Sequence, residues 1–352
     1  MQRDFTIIAL TIFYSMTLRR TLRKVLLITF IVVVVFVFAV VAAFTISPQP
    51  VTLCIKQAFD SQGIKTNNAL LKHVPAGVTS ILNAQYDLND KDAFLDVYFP
   101  TSIQNTETVK PLIVWIHGGG WISGDKNQVV NYCKIIASKG YTVAAINYSI
   151  APAKKYPTPI LQANEALHYL LQHAKRLHAD TAHIILAGDS GGSQIAAQVA
   201  NIMTEPSYAQ QLDVLPALQK EQLSGIVLFC GAYDAQNLNI DAKFVPFVKM
   251  MLWSYCGERD FMDNPKFAPA SVINYVTPNF PATFVSVGNV DPLAIQSYRF
   301  AEKLDSLGVK VETLFFADDH ASALSHEYQF NLDNEDGKLA LKKLESFLLQ
   351  LK

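Results

Sequence analysis

The sequence has few cysteines and almost no net charge. Four cysteines in 352 residues (Cys54, Cys133, Cys230 and Cys256) show no C-x-x-C spacing and no accompanying histidine pair, which argues against a structural zinc site. They are too sparse for a disulfide framework, so we expect four buried thiols, with a single bridge as the alternative. The 29 basic and 30 acidic side chains nearly cancel, which argues against a nucleic-acid partner. The composition leaves the oligomeric state open.

One long apolar run is present near the N-terminus. Residues 25–46 carry no charge, and such a run, at about 1.5 Å per residue, is long enough to cross the roughly 30 Å hydrocarbon layer. Four basic residues directly precede it: Arg19, Arg20, Arg23 and Lys24. The positive-inside rule therefore predicts a single-pass membrane protein with residues 1–24 in the cytoplasm and the chain after the anchor on the far side. A secreted protein with a cleaved signal peptide is the alternative, because Ala42 and Ala43 offer a cleavage site.

The rest of the chain changes character at about residue 85. We expect residues 47–84 to form a linker and a helical N-terminal cap region. Residues 85–352 alternate short apolar runs such as PLIVWIHGGG and HIILAGDS with helical patterns, which predicts an α/β domain with a mostly parallel, twisted sheet and helices on both faces. Residues 235–280 hold aromatics and prolines but no strand pattern, so we expect a cap inserted above the sheet.

The string GDSGG at residues 188–192 occurs in two unrelated classes of enzyme. It surrounds the nucleophilic serine of chymotrypsin-like proteases, which are all-β proteins, and it is one form of the G-x-S-x-G elbow of α/β-hydrolases. Here Ser190 follows the apolar run IILA and precedes the helical pattern SQIAAQVANIM. This strand–turn–helix context favours the elbow, in which Gly188 and Gly192 leave room where a β-carbon would clash.

A second glycine motif supports this interpretation. HGGGW at residues 117–121 directly follows the apolar run PLIVWI, and three consecutive glycines form a loop whose amides can point into a site. We predict that the amides of Gly119, Gly120 and Gly191 form an oxyanion hole. His117 is expected to order the loop through its ring nitrogens, with Gly118 as part of the same motif.

Taken in order, HGGGW, NYSIAPAKKYPTPI (147–160) and GDSGG resemble the motifs of the hormone-sensitive-lipase-like branch of α/β-hydrolases. That family typically shows HGGGW, Y-R-L-A-P and G-D-S-A-G-G, and the resemblance covers roughly residues 85–350. Gly191 stands where the family has alanine and Ser149 where it has arginine, and neither departure removes a catalytic group. The resemblance implies the α/β-hydrolase fold with a helical cap, and small carboxylic esters with short to medium acyl chains as substrates.

The catalytic acid and base should follow Ser190 in the chain, since the hydrolase order is serine, acid, histidine. Asp291 in GNVDPL comes just past a strand pattern and resembles the family's G-x-x-D-P-L. Its alternative role is that of a helix N-cap before Pro292, and Asp234 is the second choice for the acid.

Two histidines, His320 and His326, lie after the serine. His320 is closer to the end of the last predicted strand. His326, in SHEYQF, resembles the family's H-G-F-like strings and is our predicted base, with His320 as the alternative.

These assignments predict a serine hydrolase that acts on carboxylic esters through Ser190, His326 and Asp291, with no metal and no cofactor. Phe247 and Trp253 in the predicted cap would line an apolar acyl pocket or form the core of the cap itself. Two other functions stay open: a membrane-tethered hydrolase-fold binding module without turnover, and an enzyme that cleaves amides or carbamates.

Overall fold

The N-terminal unit of the chain consists of one long helix and the first residues of the next helix. The computed structural model describes residues 2–351, with side chains from residue 5, and it divides into two compact units between Val51 and Thr52. Helix α1 runs over Gln2–Ile46, and among the described residues it is the one helix long and apolar enough to cross a membrane. It begins well before the predicted span at residue 25, so the four basic side chains lie inside the helix rather than before it.

Helix α2 (Gln49–Leu70) and strand β1 (Val78–Gln85) replace the expected linker and cap segment. The helical expectation is wrong over residues 78–84, because these residues pair antiparallel with strand β2 (Phe94–Pro100). The side chains of β1 are exposed or only half-buried, as suits an edge strand. Such a strand lacks the apolar run that revealed the others, and pairing with its neighbour stabilises it.

The remaining elements alternate along the chain. The strands are β3 (Lys110–Ile116), β4 (Thr142–Ile146), β5 (Ala179–Asp189), β6 (Leu223–Phe229), β7 (Thr283–Ser286) and β8 (Val311–Leu314). The helices are α3 (Val130–Ala137), α4 (Thr158–Gln172), α5 (Gly191–Thr204), α6 (Pro206–Gln211), α7 (Val245–Cys256), α8 (Ala294–Ser306) and α9 (Glu335–Gln350). Within residues 2–351 the strands form one eight-stranded sheet in the order β1-β2-β4-β3-β5-β6-β7-β8. From β4 to β8 all pairs are parallel, which confirms the expected mostly parallel α/β sheet.

Strand β3 shows why the sequence reads as continuous apolar runs. Leu112, Val114 and Ile116 pack into the core on one face of the sheet. Ile113 and Trp115 pack into the core on the other face. Helices cover both faces, so both sets of side chains are buried and the polar–apolar alternation of a half-exposed strand disappears.

The loops that carry the predicted site residues lie at one edge of the sheet, where the parallel strands end. The loops after β3, β5, β7 and β8 hold the HGGGW motif, Ser190, Asp291 and His326 respectively, and the carboxyl ends of parallel strands are the usual place for a site in an open α/β sheet. Residues 235–280, all of them described, contain α7 and several short 3₁₀ turns but no strand.

The cysteines are free. No disulfide joins them in the described structure, where Cys133 and Cys230 are buried and Cys256 is half-buried. Cys54 is exposed, so the expectation of four buried thiols is wrong at that position.

Candidate active site

Ser190 occupies a tight turn between β5 and α5. Its backbone has φ +51° and ψ −122°, a conformation that non-glycine residues rarely adopt outside functional sites. The Ser190 N–H donates to the carbonyl of Phe229 at 2.8 Å. The Ser193 hydroxyl donates to the carbonyls of Gly188 and Phe229 at 2.7 and 2.8 Å. Three hydrogen bonds to neighbouring strand ends therefore hold the turn.

The two outer glycines of GDSGG have no space for a side chain. A β-carbon at Gly188 would lie 2.6 Å from the carbonyl carbon of Gly192, and one at Gly192 would lie 2.1 Å from the carbonyl oxygen of Ile116. Both distances are far below van der Waals contact. The turn thus requires glycine on the helix side and on the strand side of the serine, as its sequence pattern predicts.

The structure brings the predicted serine, histidine and aspartate together. The Ser190 hydroxyl lies 2.9 Å from Nε2 of His326, and Nδ1 of His326 lies 2.7 Å from Oδ2 of Asp291. A carboxylate can only accept, so Nδ1–H donates to Asp291 and Nε2 accepts from the serine. The aspartate side chain is fully buried, whereas 32% of the histidine side chain is exposed, so the base can meet a substrate.

Asp291 holds two partners at once. Its Oδ1 accepts from the backbone N–H of Leu293 at 2.7 Å, in the turn that leads into α8, while Oδ2 faces His326. Of the two alternative roles predicted for Asp291, its side chain faces His326, whereas the N-cap of α8 is Leu293 and no side chain caps this helix. A carboxylate has two oxygens, and the bond to Leu293 aligns the second oxygen with the imidazole.

The surroundings of His326 shift its proton affinity. Burial alone would lower its pKa, but the Asp291 carboxylate outweighs burial and holds the pKa well above the ordinary value. Burial also raises the pKa of Cys230 to about 11. The thiol is therefore neutral near pH 7 and does not compete with Ser190 as a nucleophile.

The alternative base and acid lie elsewhere. Nε2 of His320 pairs with Oδ1 of Asp336 at 2.9 Å, near the start of α9. Asp234 accepts from the backbone of Asn237 at 3.0 Å. Neither His320 nor Asp234 lines the cavities at Ser190.

The HGGGW loop presents free amides beside the serine. Gly119 has φ +115°, and a β-carbon there would lie 2.2 Å from the carbonyl oxygen of Ser123, so only glycine fits this bend. The backbone N–H groups of Gly119, Gly120 and Gly191 donate to no acceptor in the described part of the chain. A β-carbon at Gly191 would lie 3.3 Å from the amide nitrogen of Gly120, which places these donors close together.

His117 and Gly118 hold this loop in place. His117 is buried, stacks on Tyr148 with ring centroids 4.3 Å apart, and donates from Nδ1 to the carbonyl of Gly118 at 2.8 Å. Burial lowers the pKa of His117, so its ring is neutral. The Tyr148 hydroxyl donates to the carbonyl of His117 at 2.7 Å. This geometry fits a residue that orders the loop.

Asp189, the second residue of GDSGG, anchors the loop to the elbow. Its Oδ2 accepts from the N–H of Gly118 and its Oδ1 from the indole N–H of Trp115, both at 2.8 Å. Burial, together with repulsion from Glu327, raises the pKa of Asp189 well above its usual range. One buried side chain thus joins the HGGGW loop to the turn that holds Ser190.

Two cavities of different character meet at Ser190 and His326. One, of about 400 Å³, is apolar and is lined on the cap side by Phe244, Phe247 and Met251. The other, of about 240 Å³, has a mixed lining, with Phe59 and Phe330 beside Gln62, Asp189 and Glu327, and we call it the polar cavity after these last three residues. Of the two cap aromatics singled out in the sequence, Phe247 lines the apolar cavity and Trp253 does not.

Two residues that line these cavities were not predicted from the sequence. Phe59 on α2 lines both of them, although α2 lies far from every motif in the sequence. Glu327, the residue after the predicted base, has φ +60° and lines the polar cavity. The family's H-G-F-like string has glycine after the histidine, so the glutamate at residue 327 could have been recognised from the sequence as a departure from the family.

A family model for the α/β hydrolase fold matches residues 113–322, well over half of the 352-residue chain. The chain belongs to the α/β-hydrolase fold family. The predicted fold and the resemblance to its hormone-sensitive-lipase-like branch are confirmed.

This α/β-hydrolase is similar to several named esterases. Esterase LipI of Mycobacterium tuberculosis is 29% identical over 237 residues, which cover 66% of this chain and 69% of LipI. An esterase of Gibberella moniliformis is 27% identical over 252 residues, covering 69% and 74% of the two chains. The crystal structure of an inhibited esterase B from Lactobacillus rhamnosis superposes with a TM-score of 0.71 at 23% identity, over 85% of this chain and 97% of that chain. At this identity the superposition shows the shared fold.

Proposed function

We propose that this α/β-hydrolase is a carboxylesterase that works through Ser190, His326 and Asp291. The observation that carries the proposal is the continuous hydrogen-bonded relay, 2.9 Å from serine to histidine and 2.7 Å from histidine to aspartate. The relay sits on an elbow beside three free backbone amides. The similarity to named esterases supports ester hydrolysis as the reaction.

In the proposed mechanism His326 takes the proton of Ser190 as the hydroxyl attacks the ester carbonyl. Asp291 holds Nδ1 protonated, so that Nε2 is free to accept, and it stabilises the imidazolium that forms. The imidazolium then returns the proton to the leaving alcohol, which departs and leaves an acyl-serine. A water molecule, activated by the same Nε2, hydrolyses that acyl-serine and regenerates the enzyme.

The amides of Gly119, Gly120 and Gly191 stabilise the negative charge on the tetrahedral intermediate. They have no other acceptor, so no internal hydrogen bond must break when the oxyanion forms. Losing one such donor typically costs about 3 to 4 kcal/mol of transition-state stabilisation. The bond from Gly118 to Asp189 therefore supports catalysis indirectly, by fixing the direction of the next two amides.

The cavities suggest how an ester is oriented. The apolar cavity of about 400 Å³, lined by Phe247, Val248 and Met251, suits an acyl chain, because burying apolar surface there is favourable. The polar cavity suits the alcohol portion and the water that later replaces it. The leaving alcohol and the hydrolytic water must both reach Nε2 of His326, which lines both cavities.

The decisive experiment uses the purified full-length chain in detergent with 4-nitrophenyl esters of acetate to decanoate. We expect hydrolysis that is strongest at a short or medium acyl length and is lost in Ser190→Ala. Absence of turnover at every chain length in the wild-type protein would refute the esterase function and favour a binding module. A parallel series of 4-nitroanilides and carbamates distinguishes an ester-cleaving enzyme from one that prefers the other two bonds.

We also infer that α1 anchors the enzyme in a membrane, with the catalytic unit on the extracytoplasmic side. The support is the apolar stretch after four basic residues, a charge asymmetry that sets orientation. A C-terminal epitope tag should resist protease added to the cytoplasmic side of sealed vesicles. Digestion of the tag would refute this orientation, and a mature N-terminus near Ala42 would replace the anchor with a cleaved signal peptide.

A further inference from the structure

Glu327 is a charged side chain in the site that the proposed mechanism does not use. It directly follows the proposed base, is half-buried and lines the polar cavity at Ser190. No hydrogen bond or ion pair from the described residues reaches its carboxylate. Its φ of +60° is in the region that favours glycine. A residue held in a disfavoured conformation with its charge unpaired inside a site points to a functional role.

Glu327 shares the end of this cavity with Asp189. The point where a β-carbon on Gly118 would lie is 2.3 Å from Oδ2 of Asp189 and 3.1 Å from Oε1 of Glu327. Asp189 is fully engaged, since its two oxygens accept from Trp115 and Gly118. Glu327 is the carboxylate that remains available to a bound molecule.

The other walls of the polar cavity contain no compensating cation. Among the described residues that line it there is no lysine or arginine, and the neutral His117 is the only titratable nitrogen besides the proposed base. Phe59 and Phe330 line the same space. A carboxylate next to aromatic faces is a recurring arrangement for binding organic cations.

The polar cavity also continues outward. A surface groove shares Gln62, Thr66 and Glu327 with it and leads past Asp333 and Asn334. Lys65 is exposed and lines that outer groove, but it does not line the cavity at Ser190. An alcohol group bound beside Glu327 therefore has a polar exit path once it is cleaved from the acyl group.

We propose that Glu327 is a specificity residue that selects esters whose alcohol portion carries an ammonium group. This proposal rests on the carboxylesterase function proposed above and names the substrate class for that site. The acyl chain occupies the apolar cavity, and the cationic alcohol lies in the polar cavity between Phe59, Phe330 and the Glu327 carboxylate. Because His326 must protonate the leaving oxygen, this placement sets the cation on the leaving-group side of the reacting carbonyl.

The test compares two butyrate esters of the same shape, one of choline and one of 3,3-dimethylbutanol, in which carbon replaces the quaternary nitrogen. Released acid is measured by pH-stat titration with the full-length enzyme. We expect a kcat/KM ratio of about ten in favour of the choline ester, since one partly buried charge pair supports discrimination of this size. Taking the ratio within one preparation cancels differences in the amount of folded enzyme.

Two variants assign the preference to Glu327. Glu327→Gln keeps the shape without the charge, and Glu327→Gly removes the charge while suiting the positive φ. Both should bring the ratio close to one. Glu302→Gln makes the same charge change at an exposed position on α8 that lines neither cavity at Ser190, and it should keep the wild-type ratio.

A wild-type ratio of one or less, or a ratio unaltered in both Glu327 variants, overturns the inference. In that case the carboxylesterase function is still supported if the wild-type enzyme hydrolyses the neutral ester and the Ser190→Ala variant does not. If the wild-type enzyme hydrolyses neither these two esters nor the 4-nitrophenyl series, the proposed function fails first and the substrate class fails with it.

Discussion

Two adjacent glycines in the elbow should differ sharply in how much the same substitution destabilises the protein. In Gly192→Ala the new β-carbon would lie 2.1 Å from the carbonyl oxygen of Ile116 and 2.4 Å from that of His117. Both oxygens belong to backbone at the end of β3, which cannot rotate away. In Gly191→Ala the nearest atoms lie at 3.3 Å, a tight contact that a few tenths of an ångström would relieve.

The structure sets the size of the difference. Forcing an atom into a packed core costs roughly 1 to 3 kcal/mol, and a collision with backbone belongs at the upper end of that range. For a compact unit of about 300 residues, an unfolding entropy near 2.1 cal/mol/K per residue converts about 3 kcal/mol into a fall in Tm of about 5 °C. Gly191→Ala should stay within about 2 °C of wild type, because alanine favours a helix by up to about 1 kcal/mol over glycine and offsets the tight contact.

Thermal unfolding followed by tryptophan fluorescence measures this difference. The three tryptophans of the chain (Trp115, Trp121 and Trp253) all lie in the catalytic unit, so the signal is independent of the N-terminal helix. A Gly192→Ala protein that melts within 1 °C of wild type would refute the steric argument. An equal loss in Gly191→Ala would show that the elbow rejects any side chain, not one at Gly192 in particular.

Three further predictions concern activity. His326→Ala should lower kcat/KM for a 4-nitrophenyl ester by about 10³-fold or more, whereas His320→Ala should stay within about twofold; the reverse pattern would make His320 the base. The pKa of His326 is raised, so the acid limb of the pH profile of kcat/KM should lie above pH 6.5. Activity is lost as the pH falls, because the protonated ring cannot accept the serine proton. Asp291→Asn should shift that limb to lower pH and reduce the rate by about 10⁴-fold, and an unshifted limb would contradict the assigned pairing. Ala232→Leu, which places bulk in the apolar cavity, should lower the ratio of octanoate to acetate turnover by about tenfold or more; an unchanged ratio would place the acyl chain elsewhere.

Local sequence patterns were sufficient to predict much of the fold and of the candidate site. The apolar runs that end in glycine, aspartate or asparagine predicted strands β3 to β6, because a strand buried on both faces must be apolar throughout. GDSGG between a strand and a helix predicted a turn that allows glycine alone at residues 188 and 192, and both positions are sterically closed. The order of the motifs limited the base to two histidines.

Other features depended on residues that are distant in the chain. Strand β1 has no apolar pattern of its own from which it could be predicted. Pairing with β2 stabilises it. The resemblance of SHEYQF favoured His326, and the path of the loop after β8 brings this ring to 2.9 Å from Ser190 and the His320 ring to Asp336. The two hydrogen bonds of Asp291, to Leu293 and to His326, could be predicted only from the direction of each carboxylate oxygen.

The amino-acid sequence by itself determined the fold class, the candidate nucleophile Ser190 and the pattern of the glycine loops, because each depends on residues that are neighbours along the chain. The tertiary structure alone decided what surrounds Ser190. Phe59 enters from α2, and the Glu327 carboxylate meets Asp189 beside Gly118. The shape and charge of the cavities depend on which distant segments of the chain lie together, and a local sequence pattern does not contain that information.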